Sequence, residues 1–235
     1  MKFTIVAVLS LVSAGALAAD SATNPENWTA LPASAWHWYG HRKGDGLPDV
    51  WTVEADGSLH HAPGNGRWDK KDLVTDDAGY RNFVLEIDWK VGKSANSGVF
   101  YRIKEDNGNP SSSGFEYQIL DDDGFDGGKA TAIHRAGALY AIVAPNQDKA
   151  LKPVGEWNTS RIVADGNHME HWLNGKCIVK VDLDSPEFKE TFAKSQWKGN
   201  PAKAAAPNAL IGLQDHGGEV WFRNIRIQKL PEAAK

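Results

Sequence analysis

The chain has 235 residues, a formal net charge of −4 and a single cysteine, Cys177. That length suits one β-sandwich domain with its own core, and a lone cysteine excludes an intramolecular disulfide. The mixed, slightly acidic charge, with no Lys/Arg block, speaks against nucleic acid as a partner.

The N-terminus reads as a secretory signal peptide over residues 1–19. Lys2 supplies the positive start, Phe3 to Leu11 an apolar run, and Ala16-Leu17-Ala18-Ala19 small residues for cleavage before Asp20. The run is short for a membrane span, and no later segment is long and apolar enough to cross a bilayer. The expected organisation is therefore a signal peptide, one domain over residues 20–230, and a frayed tail over 231–235. A periplasmic or secreted location follows. The ten tryptophans stand out. An indole offers a flat apolar face and one N–H donor, which serves a core or the C–H patches of a sugar; about half are expected in the core.

Along the chain the pattern is period two. In residues 82–91, Phe83, Leu85, Ile87, Trp89 and Val91 face one way and Glu86, Asp88 and Lys90 the other, the mark of a half-buried strand. Further strands are predicted over 97–103, 115–120, 158–164, 168–173, 176–183, 209–214 and 220–228. Asp165-Gly166-Asn167 and Asn174-Gly175 supply hairpin turns. In the last strand Val220 and Phe222 share one parity while Ile225 and Ile227 take the other, so a β-bulge near Asn224 is expected. Helix is scarce: residues 186–194 make one or two turns, and 203–206 are Ala-rich between prolines. Residues 191–208 read as a surface insertion. Many antiparallel strands with short turns make an all-β sandwich or jelly roll.

Parity also gathers polar residues. Glu116 and Gln118 turn away from Phe115, Tyr117 and Ile119. Gln214 and His216 share a side if their strand extends that far. Arg102 lies opposite Val99, Tyr101 and Ile103, and His171 alternates with Trp172. Such a face is either a sugar site or an ordinary solvated surface, and parity fits both. Asp121, Asp122 and Asp123 before Gly124 fit a solvated turn or a hard-cation site. His134-Arg135 fits a substrate contact or an exposed loop. His60-His61 lacks a third ligand at zinc spacing. No phosphate loop, nucleophile elbow or Cys-His pair is present.

Eight ordered blocks then carry a family resemblance. They are Asp72-Leu73-Val74-Thr75; Tyr80-Arg81-Asn82-Phe83, leading to Asn96-Ser97-Gly98-Val99-Phe100-Tyr101-Arg102; Phe115 to Asp121; Gly137-Ala138-Leu139-Tyr140; Lys152 to Asn158; Trp172-Leu173-Asn174-Gly175; Ile211 to Gly217; and Val220 to Ile225. Over residues 28–230 the chain resembles the 3-keto-disaccharide hydrolase domain family. The resemblance implies a concanavalin-like jelly roll of two curved antiparallel sheets. It also implies attack on glycosides whose C3 hydroxyl has been oxidised to a ketone. The loop 104–113 and the insertion 191–208 depart from the family pattern.

A C3 ketone acidifies the C2–H and places the C1 substituent β to a carbonyl, so C1–O cleavage becomes an elimination followed by hydration. Such a route needs a base near neutrality, hydrogen bonds to the enolate oxygen and an acid for the leaving group. His216, Glu116 and Asp121 are the catalytic candidates. Asn96, Arg102, Gln118, Tyr140, Trp157 and Gln214 are the substrate-binding candidates. A divalent metal ion polarising the ketone is a further option. The alternative from another class is a non-catalytic, lectin-like carbohydrate-binding module, because one fold hosts both.

Overall fold

The structure is a computed structural model that describes residues 27–62, 70–105, 108–198 and 209–231. The expected signal peptide, the Ala-rich 203–206 stretch and the tail from residue 232 lie outside the described residues, as do residues 199–208 of the insertion.

The strands are β1 (Thr29–Ala30), β2 (Trp36–Trp38), β3 (Trp51–Val53), β4 (Leu59–His61), β5 (Leu73–Thr75), β6 (Phe83–Val91), β7 (Asn96–Ile103), β8 (Phe115–Leu120), β9 (Asn158–Asp165), β10 (His168–Leu173), β11 (Lys176–Asp182), β12 (Leu210–Leu213) and β13 (Val220–Lys229). The helices are α1 (Pro110–Ser113) and α2 (Pro186–Lys194). Ser185 caps α2 by accepting the Phe188 N–H at 3.1 Å, and Pro186 opens it. Among the described residues thirteen strands, with two short α-helices and a few 3-10 turns, form the all-β jelly-roll sandwich.

The eight-stranded sheet runs β11-β10-β9-β6-β13-β4-β3, with β1 beside β13. The five-stranded sheet runs β2-β5-β12-β7-β8. Every pairing is antiparallel. The core lies between the sheets. Leu85, Ile87, Trp89, Ile162, Val220, Phe222 and Ile227 from one meet Leu73, Val99, Tyr101, Tyr117, Ile119, Ile211 and Leu213 from the other. The bulge in β13 falls between Arg223 and Arg226, with Asn224 at φ 51°. The extra residue brings Ile225 and Ile227 onto the buried side with Val220 and Phe222. Trp36, Trp51 and Trp89 are the buried tryptophans among the described residues, fewer than the half expected.

A second bulge was not legible. Between β7 and β12 the register slips, pairing Leu210 with Ile103 and Ile211 with Tyr101. Arg102, at φ 54°, is the unpaired residue. Ile103 therefore packs with Phe100, Val74 and Leu210 instead of sharing the Tyr101 side.

His171 also departs from the expected polar face. Its parity partners Met169 and Leu173 are buried, and they carry it into the core. There Tyr101 Oη donates to its Nε2 at 2.8 Å and its Nδ1 donates to the Gly137 carbonyl at 3.0 Å. Burial pushes this imidazole down to about 4, so it is neutral near pH 7.

Candidate active site

The five-stranded sheet is covered on both faces: every residue of β5, β7, β8 and β12 is buried. Its inner face meets the core. Its other face floors a cavity of about 150 Å³ lined by Asp72, Asn96, Phe100, Glu116, Gln118, Tyr140, Gln214 and His216, with Ser111 of α1, its cap Asn109, and Gln196 and Trp197 from the segment after α2.

Register explains why these residues meet. Gly98 pairs with Gln118 and Phe100 with Glu116 across β7 and β8. Leu213 pairs with Val99 and with Leu73, so the next residue, Gln214, enters the floor between Gly98 and Asp72. The Gln214 N–H donates to the Gly98 carbonyl at 2.9 Å and continues the ladder past β12. Gly98 leaves room that a side chain would fill, because a Cβ there would lie 2.6 Å from Glu116 Oε1. The 137–140 segment pairs with the open edge of β8. Gly137 N donates to Gln118 O at 2.8 Å and Tyr140 N to Glu116 O at 3.0 Å, which blunts the edge and sets Tyr140 beside Glu116. Burial and the Glu116 charge both push the Tyr140 phenol up.

A chain of hydrogen bonds fixes the orientation of His216. The His134 carbonyl can only accept, so it takes Gln118 Nε2 at 3.3 Å. The same nitrogen donates to Asn96 Oδ1 at 3.2 Å. Asn96 Nδ2 is then turned to His216 Nδ1 at 3.1 Å. Nδ1 accepts, so the neutral ring carries its proton on Nε2. Burial holds the His216 pKa below its ordinary value and favours that neutral form. Gln118 Oε1 and Gln214 Oε1 are buried and accept no hydrogen bond among the described residues. Leaving a buried acceptor unmade costs about 1–3 kcal/mol, and the hydroxyl donors of a sugar would relieve it.

Six of the residues singled out from sequence line this cavity: Asn96, Glu116, Gln118, Tyr140, Gln214 and His216. Three lie elsewhere. Asp121 caps a turn, accepting Ser94 N at 2.8 Å and Gly124 N at 3.0 Å. Its position at the end of β8 takes it past the pocket. Arg102 is swung by its bulge toward the Arg81 and Gly166 carbonyls, at 2.8 and 2.7 Å, and ties loops together. Trp157 lies against the Arg223 guanidinium, 3.9 Å from its ring centroid, with Lys90 at 5.1 Å. Lys90 and Arg223 belong to β6 and β13 of the other sheet. Among the neighbouring candidates, Asp122 pairs with Lys149, and Arg135 bonds the Ala130 and Gly128 carbonyls. Among the described residues no group of three or more His, Cys, Asp or Glu is placed to hold a metal ion. The divalent metal considered from sequence thus has no fitting ligand set there.

Sequence reasoning missed Asp72 and Trp197. Asp72 is only 4% exposed, and burial, followed by the neighbouring Asp215 charge, pushes its carboxyl up to about 7. Its one signal was its place at the head of a family block. Trp197 comes from the insertion and donates Nε1–H to the Tyr140 carbonyl at 3.4 Å.

Residues 23–228 match the 3-keto-alpha-glucoside-1,2-lyase-like domain. The chain belongs to that family. A 3-keto-disaccharide hydrolase from Bacteroides thetaiotaomicron is 31% identical over 218 residues, 82% of this chain and 74% of that protein. The crystal structure of a candidate glycosyl hydrolase from Parabacteroides distasonis is 30% identical at TM-score 0.76, covering 88% of this chain and 95% of its own. A second from the same organism is 29% identical at TM-score 0.67, covering 86% and 99%. An endo-beta-1,3(4)-glucanase of family GH16 shares the fold at 11% identity and TM-score 0.50 over 88% of this chain and 93% of its own. Membership in the 3-keto-alpha-glucoside-1,2-lyase-like family, with these relatives, supports a carbohydrate-active enzyme. Among the described residues no helix is long and apolar enough to cross a membrane.

Proposed function

We propose that this chain cleaves 3-keto-glycosides or 3-keto-disaccharides by C2 deprotonation, elimination at C1 and hydration. The observation that carries the reading is a buried polar pocket joining Glu116, His216 and two unpartnered amide acceptors in a member of this family.

The chemistry suits these groups. An ordinary glycosidase builds an oxocarbenium-like transition state between two carboxylates. With a C3 ketone the negative charge instead gathers on the C3 oxygen as C2 loses its proton. A neutral imidazole fixed as an Nε2–H donor is suited to that oxygen, since it stabilises charge without giving up its proton. In this reading Glu116, which lines the cavity beside Tyr140, exchanges a proton with the leaving oxygen at C1. Gln118 Oε1 and Gln214 Oε1 take sugar hydroxyls, and Asn96 holds the imidazole.

The test is turnover. Purified protein incubated with 3-keto-trehalose should release 3-ketoglucose, and trehalose should stay intact because its C2–H is not acidic. Comparable rates on the two sugars would rule the mechanism out. Binding of the keto sugar without release would make the pocket a lectin site instead. A parallel arm with a chelator reports on any metal requirement.

A further inference from the structure

Behind the pocket floor lies a cluster that the reading above leaves unused. Asp72 immediately precedes β5 and lines the cavity. Its Oδ1 accepts the Asp215 N–H at 2.8 Å. Its Oδ2 makes no hydrogen bond among the described residues, and Asp72 has no ion-pair partner there. Asp215, two residues past the end of β12, is bound on every side. Its Oδ2 accepts Lys71 N at 3.0 Å, and its Oδ1 accepts Gly217 N at 3.0 Å and lies 2.9 Å from His61 Nε2. His61, on β4, is held from behind by a 2.7 Å hydrogen bond from Nδ1 to the Gly218 carbonyl. Burial opposes ionisation of Asp215, but these hydrogen bonds and His61 win and hold its carboxyl below the ordinary range.

Two carboxyls side by side thus have opposite environments. Asp215 is a fixed anion. Asp72 is anchored by one oxygen, faces the cavity, and has an anion for a neighbour. Divergence of this kind separates a proton-transfer group from a structural one.

Building on the 3-keto-glycoside reading, we propose that Asp72 is a catalytic residue of this pocket, the base that removes the C2 proton, and that Asp215 holds it in place. In the step, the C2–H bond breaks and the proton passes to an Asp72 oxygen. The electron pair forms C2=C3, and the C3 carbonyl becomes an enolate oxyanion. The enolate then re-forms the C3 carbonyl, C1=C2 forms, and the C1–O bond breaks, with the leaving oxygen taking a proton from Glu116. In the hydration, water puts its hydroxyl on C1 and gives its other proton to Glu116, while Asp72 returns its proton to C2, so both carboxyls regain their starting states.

The charged and titratable groups around Asp72 are Asp215 beside β12, His61 on β4 and Lys70 two residues before it, with Glu116 and His216 lining the same cavity. A carboxyl poised at about 7 is matched to neutral pH. Linkage fixes the sign for stability. The folded-state pKa is raised, so ionised Asp72 costs stability. That cost is absent below the ordinary carboxylate range and complete above about 7.

The experiment compares wild type, Asp72→Asn and His216→Asn on a 3-keto-glucoside across pH, with melting temperatures from the same preparations. Asn keeps an oxygen for the Asp215 N–H and removes the base. Asp72→Asn should lower kcat by roughly 10²- to 10⁴-fold, and its melting temperature near pH 8 should equal or exceed that of wild type. Wild-type kcat/KM should rise through a limb near pH 7, and His216→Asn should keep that limb at a lower rate. Turnover by Asp72→Asn within about tenfold of wild type, or its joint loss of turnover and stability, overturns the assignment. So does disappearance of the limb in His216→Asn. A wild type inactive on every 3-keto-glycoside overturns the reading beneath it and the base assignment together. An active wild type with an active Asp72→Asn overturns the base assignment alone.

Discussion

On β6, Glu86, Asp88 and Lys90 alternate with core residues just as Glu116 and Gln118 do on β8. The two faces nevertheless differ. On the eight-stranded sheet the outward charges are matched. Glu86 takes Arg161 Nη2 at 2.8 Å and Arg226 Nε at 2.8 Å, and although burial opposes it, these guanidiniums hold its carboxyl below the ordinary range. Asp88 accepts from Thr159 Oγ1 at 2.6 Å and Asn224 Nδ2 at 2.7 Å. Lys90 lies over the Trp157 and Trp221 rings. On the five-stranded sheet the same alternation is roofed by loops that bring Asn109, Tyr140 and Trp197, and it keeps two amide oxygens unpartnered. Charges paired with one another stabilise the fold, while open acceptors that line a cavity are ready for a ligand.

The largest effect expected from that contrast is in the pocket. Glu116→Gln or His216→Ala should lower kcat on a 3-keto-glycoside by about 10²- to 10⁴-fold with little change in melting temperature. A destabilised variant that keeps full turnover per folded molecule would move that residue to a structural role.

Gly98→Ala should act through Glu116. Gly98 lies in β7 outside the left-handed region, so its backbone accepts alanine. The added methyl meets Glu116 Oε1 and Cγ and forces the carboxylate to move. Activity should fall on the order of 10- to 100-fold, the cost of a misplaced catalytic group. Unchanged kinetics would mean that Glu116 needs no fixed position.

The smallest effect belongs to the other sheet. Glu86→Gln weakens a carboxylate shared by two partly exposed arginines, which is worth about 1 kcal/mol or less. For a domain of this size that lowers the melting temperature by a few degrees. Turnover should not change, and a drop in kcat would show that the outer face communicates with the pocket.

The period-two pattern was legible wherever neighbours along the strand decide the outcome. Residues of like parity share a face because the pleat has that period, so the inward set of β6, the split of Glu116 from Phe115 and Tyr117, and the bulge at Asn224 were all readable locally. The bulge at Arg102 was not, because residues 97–103 keep their alternation and only pairing with β12 reveals the extra residue. Asp121 stands outside the Glu116–His216 cavity for a similar reason, since a turn claims its carboxylate.

By itself, then, the chain determined the strands from β6 onward, most of their core parity and the polar residues of β7 and β8 and just past β12, because hydrophobic alternation is written in consecutive residues, whereas β1 to β5, each two or three residues long, are too short to show it. Only the tertiary structure decided that one polar face is a roofed pocket and the other a network of paired charges. Asp72 had no parity signal, standing before a three-residue strand. Its burial beside Asp215 arises from the pairing of β5 with β12, segments about 140 residues apart in the chain. Desolvation and neighbouring charge depend on what surrounds a group in space, and no local pattern encodes that.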